Sequence, residues 1–376
     1  MYVQHVIERE QVDMDRGGTY KLDLPKTGLL SALDVYVEVT QELDAYIASG
    51  GHWMANEHIT KVEVLANASV PIVSATGRQV QMCAFRDTGM MPQDKKWSYA
   101  HATPTVHLPI LFGRYIGDPK FALDLSRYNN VSLQITNDFS STYYHDDAHV
   151  YVVATYLRDL SLAQVLGHFR KELYRSWTTV QNQPEYNELP VEFPIRRVYL
   201  QAIPAVSSGK NACVFTDCLY NVRLMLRSRT VEVFNGHAAQ YLRLDHMRLP
   251  GMPIDQGLSY FHEDVGFNTD IGYPKAWAGI QVASSESVTG VAQLISISSY
   301  GHMESEVTPS DYTLSYILYG QGAFSSLCFP FDMVPDDPTT FLDPETSKQV
   351  TLDVTTRDSS GAASGTNHIL LDRFVA

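Results

Sequence analysis

Cysteine is scarce: four residues in 376, Cys83, Cys213, Cys218 and Cys328, are too few and too scattered to frame a disulfide scaffold. They fit a chain matured in a reducing cytoplasm. Cations are also in short supply. Lys and Arg number 28 against 42 Asp and Glu, a formal net charge of -14, which argues against a broad phosphate-binding surface. No apolar run approaches the ~18 residues that a membrane-spanning helix needs. Met1 is not followed by a signal-peptide pattern, so Sec export is not expected.

Catalytic signatures are missing as well. There is no G-x-S-x-G, and Gly320-Gln321-Gly322 lacks the third glycine and the βαβ context of a dinucleotide loop. His52, Glu57 and His58 do not stand in H-E-x-x-H order, and no H-x-H with a following Glu suggests a cupin centre. His145 and His149, flanked by Asp146 and Asp147, would suit zinc on a helix, but their setting predicts a solvated loop. Asp332, Asp336 and Asp337 offer oxygens for calcium, yet Pro335 and Pro338 make a plain turn the simpler account. Cys213 and Cys218 have no second pair and read as buried thiols. Asn67-Ala68-Ser69 and Asn130-Val131-Ser132 match the glycosylation sequon, which an unexported chain would not use. No catalytic, cofactor-binding or metal-binding residue is therefore assigned, no cofactor is expected, and the chain is not expected to be an enzyme.

What the chain does have is β-forming material in duplicate. Hydrophobic residues at 44%, charged residues at 19% and 22 tyrosines describe a folded, sheet-rich protein. The stretch from Asp118 to Leu157 recurs from Asp337 to Ala376, shifted by 219 residues without a gap. Val131, Leu133 and Ile135 fall on Val350, Leu352 and Val354, a period of two that marks a strand with one buried face. Upstream, Val35-Tyr36-Val37 matches Val198-Tyr199-Leu200 at 163, and Gly77 and Gln81 match Gly236 and Gln240 at 159. The jump in offset means that the second copy carries roughly 60 additional residues.

Two β units follow. Residues 1–18 read as a polar N-terminal arm, 19–159 as the first unit, and 191–376 as the second, with its insertion at about 242–327. Between them, 160–190 read as a helix and a linker. Leu162, Val165, Leu166, Phe169 and Leu173 recur at helical spacing, Ser161 and Gln164 suggest a capping box, and cations close the segment. Val70 to Met82 reads as β with a turn at Thr76-Gly77, and Arg86 to Thr103 as loop. Pro109 places the strand Leu108 to Phe112 at a sheet edge or at its own start. The insertion mixes Phe261, Phe267, Trp277, Tyr300 and Tyr312 with Gly, Ser and acidic residues. That predicts a small compact subdomain at one end of the second unit, on its outer side. The run from Asp358 to Thr366 reads as a flexible hairpin tip. Units of these lengths, built of many short strands, suit all-β sandwiches, and eight-stranded jelly rolls in particular.

The run His107 to Thr136 resembles a segment of the double jelly-roll major capsid proteins of tailless icosahedral viruses. These include coats of large eukaryotic DNA viruses, tailless phages and archaeal viruses, and adenovirus hexon. In that family a strand with a proline near its start leads through a short apolar turn to a second strand. Here Leu108-Pro109-Ile110-Leu111-Phe112, Phe121 to Leu125 and Tyr128-Asn129-Asn130-Val131 fill those places. The resemblance implies two tandem eight-stranded jelly rolls and a coat function: homotrimers of six similar rolls that fill hexagonal sites in a virion shell. The partners it implies are the chain itself, minor capsid and vertex proteins, and an internal membrane reached through the N-terminal arm, without sequence-specific nucleic acid. It also implies synthesis in a host cytoplasm. The competing class is a carbohydrate-binding or carbohydrate-hydrolysing β-sandwich protein, since aromatic residues stack on sugars and two facing carboxylates among 42 acids would serve hydrolysis. Duplication with matched ends favours the coat, because a capsomer uses it and a hydrolase does not require it.

Overall fold

The computed structural model describes residues 1–41, 55–95, 97–98, 103–139, 144–190, 192–204, 215–248, 254–261, 267–270, 277–284, 294–297, 302–305, 312–343, 345–357 and 365–376. The first half runs β1 (Tyr2–Met14), β2 (Thr19–Asp23), β3 (Leu29–Gln41), β4 (Lys61–Ala66), β5 (Val70–Ala75), α1 (Gly77–Thr88), β6 (Trp97–Ser98), β7 (Thr105–Leu111), β8 (Leu123–Asp124), β9 (Val131–Thr136) and β10 (Tyr144–Arg158). The second half begins with β11 (His168–Thr178), β12 (Pro184–Glu188), β13 (Ile195–Pro204), α2 (Phe215–Cys218), β14 (Asn221–Leu226), β15 (Val231–His237) and α3 (Ala238–His246). The insertion follows as β16 (Ile254–Phe261), β17 (Phe267–Asp270), β18 (Trp277–Ser284), β19 (Leu294–Ile297), β20 (His302–Ser305) and β21 (Tyr312–Gln321). The chain closes with β22 (Ser326–Pro330), β23 (Thr351–Thr355) and β24 (Gly365–Val375).

Strand order identifies the architecture. With the short β6 and β8 set aside, the first half has eight strands in two sheets, β1-β10-β3-β7 and β2-β9-β4-β5. In the second half β11-β24-β13-β22 and β12-β23-β14-β15 are joined in the same way. In both, the first, eighth, third and sixth strands make one sheet and the second, seventh, fourth and fifth the other. This is the jelly roll, twice. Registers agree too: Tyr151 faces Tyr36 in the first roll, and Leu370 faces Tyr199 in the second.

Alternation explains the two cores. Leu33, Val35, Val37 and Val39 point inward from β3, with Val131, Leu133 and Ile135 from β9, all at most 2% exposed. Val198 and Leu200 with Val350, Leu352 and Val354 do the same in the second roll. The repeated triplets therefore hold equivalent inward positions, as their shared period predicts. Pro109 lies on β7, the end strand of its sheet, where its missing N–H costs no ladder bond. Among the described residues, no helix is long and apolar enough to cross a membrane.

Several boundaries change. The N-terminal arm is the first strand of the first roll: β1 pairs antiparallel with β10 from Tyr2 opposite Arg158 to Met14 opposite Ala148. The expected helix over Leu160 to Arg175 is a single 3-10 turn, Leu162–Gln164, followed by β11. Gly167 marks the change, with φ +156 and a Cβ position that would lie 2.0 Å from the Val375 carbonyl oxygen. Beyond it the backbone is claimed on both sides, by β24 antiparallel and β5 parallel, and such pairing overrides helical periodicity. The second roll thus starts at His168, and the expected linker supplies β12. The stretch Thr76 to Thr88, expected as turn, strand and loop, is the capped helix α1.

The insertion leaves the second roll after α3 and returns at β22. Its strands form one sheet ordered β18-β21-β16, to which β6 of the first half adds beside β16, and another ordered β17-β20-β19. Its expected outward placement rests on loops and side chains outside the described residues, and so does most of the expected tip, 358–364.

Candidate functional site at the seam between the rolls

The rolls meet along a backbone seam. β5 and β11 run in parallel, with Lys171 opposite Val73 and Glu172 opposite Ser74. One sheet of each roll thereby merges into a continuous eight-stranded sheet, β2-β9-β4-β5-β11-β24-β13-β22. α1 lies over this junction. Thr76 caps the helix by accepting from the Gln79 N–H at 3.3 Å, while the Gln79 side chain accepts from the Thr76 N–H at 3.1 Å. The amide nitrogen of Gln79 then donates across the seam to Gln201 on β13 at 3.2 Å.

Charges at the end of α1 tie the halves together. Asp87 receives Lys171 at 2.6 Å, Arg196 at 2.8 Å and Arg197 at 2.7 Å. Arg196 also reaches Asp372 at 2.9 Å and Asp332 at 3.0 Å, and Arg197 reaches Asp332 at 2.9 Å. Three cations thus meet three carboxylates, with Asp87 and Asp372 fully buried. Burial pushes the Asp87 pKa up, but Arg196, Lys171 and Arg197 outweigh it and hold the carboxyl at about 2. Asp372 moves the other way. Burial raises it, Arg196 and Lys171 offset that only in part, and among the described residues its Oδ1 has no hydrogen-bond partner.

Apolar packing closes around the charges. Phe121, Phe169, Phe341 and Phe374 cluster from both rolls, and Phe121 stacks on Phe169 at 4.8 Å between centroids. The Arg196 guanidinium sits 4.2 Å above the Phe169 ring, a cation–π contact in a dry setting. Arg86 on α1 bridges to Asp245 on α3 at 2.7 Å, and both side chains are buried. Near the surface Arg114 grips Asp118 at 2.6 and 2.8 Å and reaches Asp336 of the second roll, which Lys120 approaches to 3.4 Å. Buried ion pairs of this kind add little net stability over an apolar core, because desolvation cancels most of the attraction. Their effect is positional: one relative placement of the rolls satisfies all of them at once.

The residues weighed in the sequence lie apart from one another. Asp332 belongs to the buried network, Asp336 meets Arg114, and Asp337 caps the 3-10 turn Pro338–Thr340, so the three carboxylates do not converge. His145 and His149 lie on β10 rather than on a loop, and His149 pairs with Asp13 at 3.0 Å; the His145 side chain is outside the described residues. His58 pairs with Asp138 at 2.9 Å and Glu57 with Arg78 at 3.0 Å, while His52 is outside the described residues, as is Cys213. Cys218 is buried in α2. Burial pushes the Cys83 thiol up, and that of Cys328 to about 12. Gly320 and Gln321 end β21, and Gly322 turns the chain with φ +70. Asn67 accepts from the Asn129 N–H at 2.9 Å in the β4–β5 turn, and Asn130 accepts the Asn67 N–H at 2.9 Å. Among the described residues, no three His, Cys, Asp or Glu stand where they could hold a metal ion.

Sequence reasoning missed the seam, apart from Asp332. One signal was available. Arg196 and Arg197 are adjacent cations at an otherwise apolar strand entry, and cations held there need carboxylate partners; the register shift between Ile195 and Arg197 lets both turn to Asp87 and Asp332.

No family model matches this chain, and no curated protein does. Solved structures do match. The atomic structure of Sulfolobus Turreted Icosahedral Virus contains a chain that superposes with TM-score 0.59 at 10% identity, over 99% of this chain and 90% of that one. The quasi-atomic model of the PBCV-1 virus capsid gives 0.54 at 10%, over 99% and 93%. The major capsid protein P2 from bacteriophage PM2 gives 0.52 at 10%, over 100% and 98%. Identities this low establish the fold: the chain is a double jelly roll from end to end.

Proposed function

We propose that the chain is the major coat protein of a tailless icosahedral virus, three copies of which close into a pseudo-hexameric capsomer. The observation that carries this reading is the seam. Two rolls of identical strand order are fused through a shared sheet and a balanced buried charge cluster into one rigid block. A block holding two similar rolls at a fixed angle converts threefold assembly into a near-sixfold outline, which tiles a hexagonal lattice. The likeness over full length to a phage major capsid protein and to a virus capsid supports it.

On this reading the chain resides in the virion and meets itself and minor capsid and vertex proteins. Light scattering of purified protein at micromolar concentration should give three times the subunit mass. The interface expected of an obligate trimer exceeds about 2,000 Å² in total. A single-subunit mass, unchanged on concentration, overturns the proposal.

A further inference from the structure

The seam inside the chain has a copy on its outside, where among the described residues no second roll docks and His107 bonds Asp34 and stacks on Tyr36 at 4.5 Å. On β13 the outward row is Arg197, Tyr199 and Gln201, and α1 covers it: Tyr199 is 0% exposed and Gln201 1%. The equivalent row on β3 is Asp34, Tyr36 and Glu38, in the same register and partly open to solvent. α3 repeats α1, as the element after the fifth strand of its roll. Gln240 accepts from the N–H of the capping residue His237, as Gln79 does from Thr76, so the helices align at 161 and not at the 159 that matched Gln81 with Gln240 in the sequence. Cys83, the seventh residue after its cap, is buried in one cluster with Tyr199. Its counterpart Leu244, the seventh after His237, is 52% exposed, and Met247 is 81% exposed. The strands agree. β5 is paired with β11, while their counterparts β15 and β1 are each the end strand of a sheet.

We infer that α3 and β15 of one copy dock on β3 and β1 of a second copy, repeating between subunits the contact that α1 and β5 make with β13 and β11 within one. The inference rests on the coat reading and specifies its contact surfaces. Charge complementarity supports it. Within the chain Asp87, the eleventh residue after its cap, pairs with Arg197 at 2.7 Å. The corresponding residues across the copies are Arg248, the eleventh after His237, and Asp34: the same pair with its signs exchanged. Gln240 likewise stands opposite Glu38, as Gln79 stands opposite Gln201. Parallel pairing of β1 with β15 would place Ile7 and Arg9 beside Phe234 and Asn235, which satisfies two open sheet edges at once. Three seams within subunits and three between them then close a ring of six rolls.

A short bis-maleimide linker applied to two paired-cysteine variants tests this. One carries Glu38→Cys with Gln240→Cys, and the other Tyr36→Cys with Leu244→Cys. Cys83, Cys218 and Cys328 are buried, and the single variants report any background from the native thiols. The expected product of either paired variant is a covalent trimer in denaturing gels, absent from every single variant. A protein that is trimeric by light scattering but gives no covalent trimer from either pair overturns the docking surface and leaves the coat reading intact. A monomeric wild-type protein overturns both.

Discussion

At the scale of single residues the seam makes sharp demands. Arg196 is 2% exposed and touches three carboxylates and a ring, so Arg196→Ala would leave Asp372 and Asp87 buried with too little positive charge. Loss of one partner of a buried ionic group costs about 3–5 kcal/mol, and the variant should lose that much in chemical denaturation. Phe169 is fully buried among three other phenylalanines, and Phe169→Ala should cost about 3–5 kcal/mol through the cavity it leaves. A loss under about 1 kcal/mol for either would mean that the site relaxes or admits water. Acid should act through histidine first. Burial, helped by Arg127 and Arg170, depresses His168 to about 4, and burial with Arg78 does the same to His368. Both residues are neutral in either state above the ordinary value near 6.5. As pH falls from there to about 4 the unfolded chain takes up protons that the folded chain refuses, so stability declines through that window and levels below it. Asp87 works at the other end: its stabilising ion pairs persist until pH nears 2. His168→Gln should flatten the slope of stability between pH 6.5 and 4, as read by urea midpoints. An unchanged slope would remove His168 from the account.

Elements were legible in the sequence where alternation was clean and hidden where neighbours overrode it. β9 and β23 could be read directly, because each puts apolar residues on an inner face and small or polar ones on the other. β1 could not. It is an end strand exposed over most of both faces, so backbone pairing alone defines it and charged residues are tolerated throughout. β11 hid for the opposite reason: Lys171 is buried on the outward face that α1 covers because Asp87 neutralises it, which breaks the apolar period. The leucines before Gly167 then supplied a false helical stripe, although Leu162 is 56% exposed and Leu166 40%. α1 escaped because it is covered on every side. Arg78, Gln79 and Gln81 are buried with polar partners, so no solvent face breaks the pattern. The seam residues were scattered for the same reason, since their chemistry is satisfied only by strands far apart in the chain. The cap of α1 gives a test at this scale. Thr76→Ala removes the N-terminal acceptor and should cost about 1 kcal/mol, read as a shift in denaturation midpoint, with Thr76→Ser restoring most of it. No loss would show that packing alone holds the helix over the seam.

The whole molecule should behave as one body despite its two cores. Tyr199, Phe324, Cys328 and Leu370, all from the second half, are packed into the cluster of the first roll. The shared eight-stranded sheet means that unfolding the second roll strips β5 of its neighbour β11 and exposes the outer face of α1. It also leaves Asp87 buried without Lys171, Arg196 and Arg197, a state that costs several kcal/mol. Partial unfolding is thus penalised at the backbone, the core and the charges together. Calorimetry should show a single transition whose calorimetric and van't Hoff enthalpies agree once assembly is allowed for. Its midpoint should rise with protein concentration if association stabilises the folded subunit. Residues 1–166 expressed alone should fail to reach a stable fold, because one partner of every contact in the seam is absent. A soluble, cooperatively unfolding first half, or two resolved transitions in the intact chain, would show that the rolls are independent modules. The seam would then be too weak to fix the angle on which near-sixfold assembly depends.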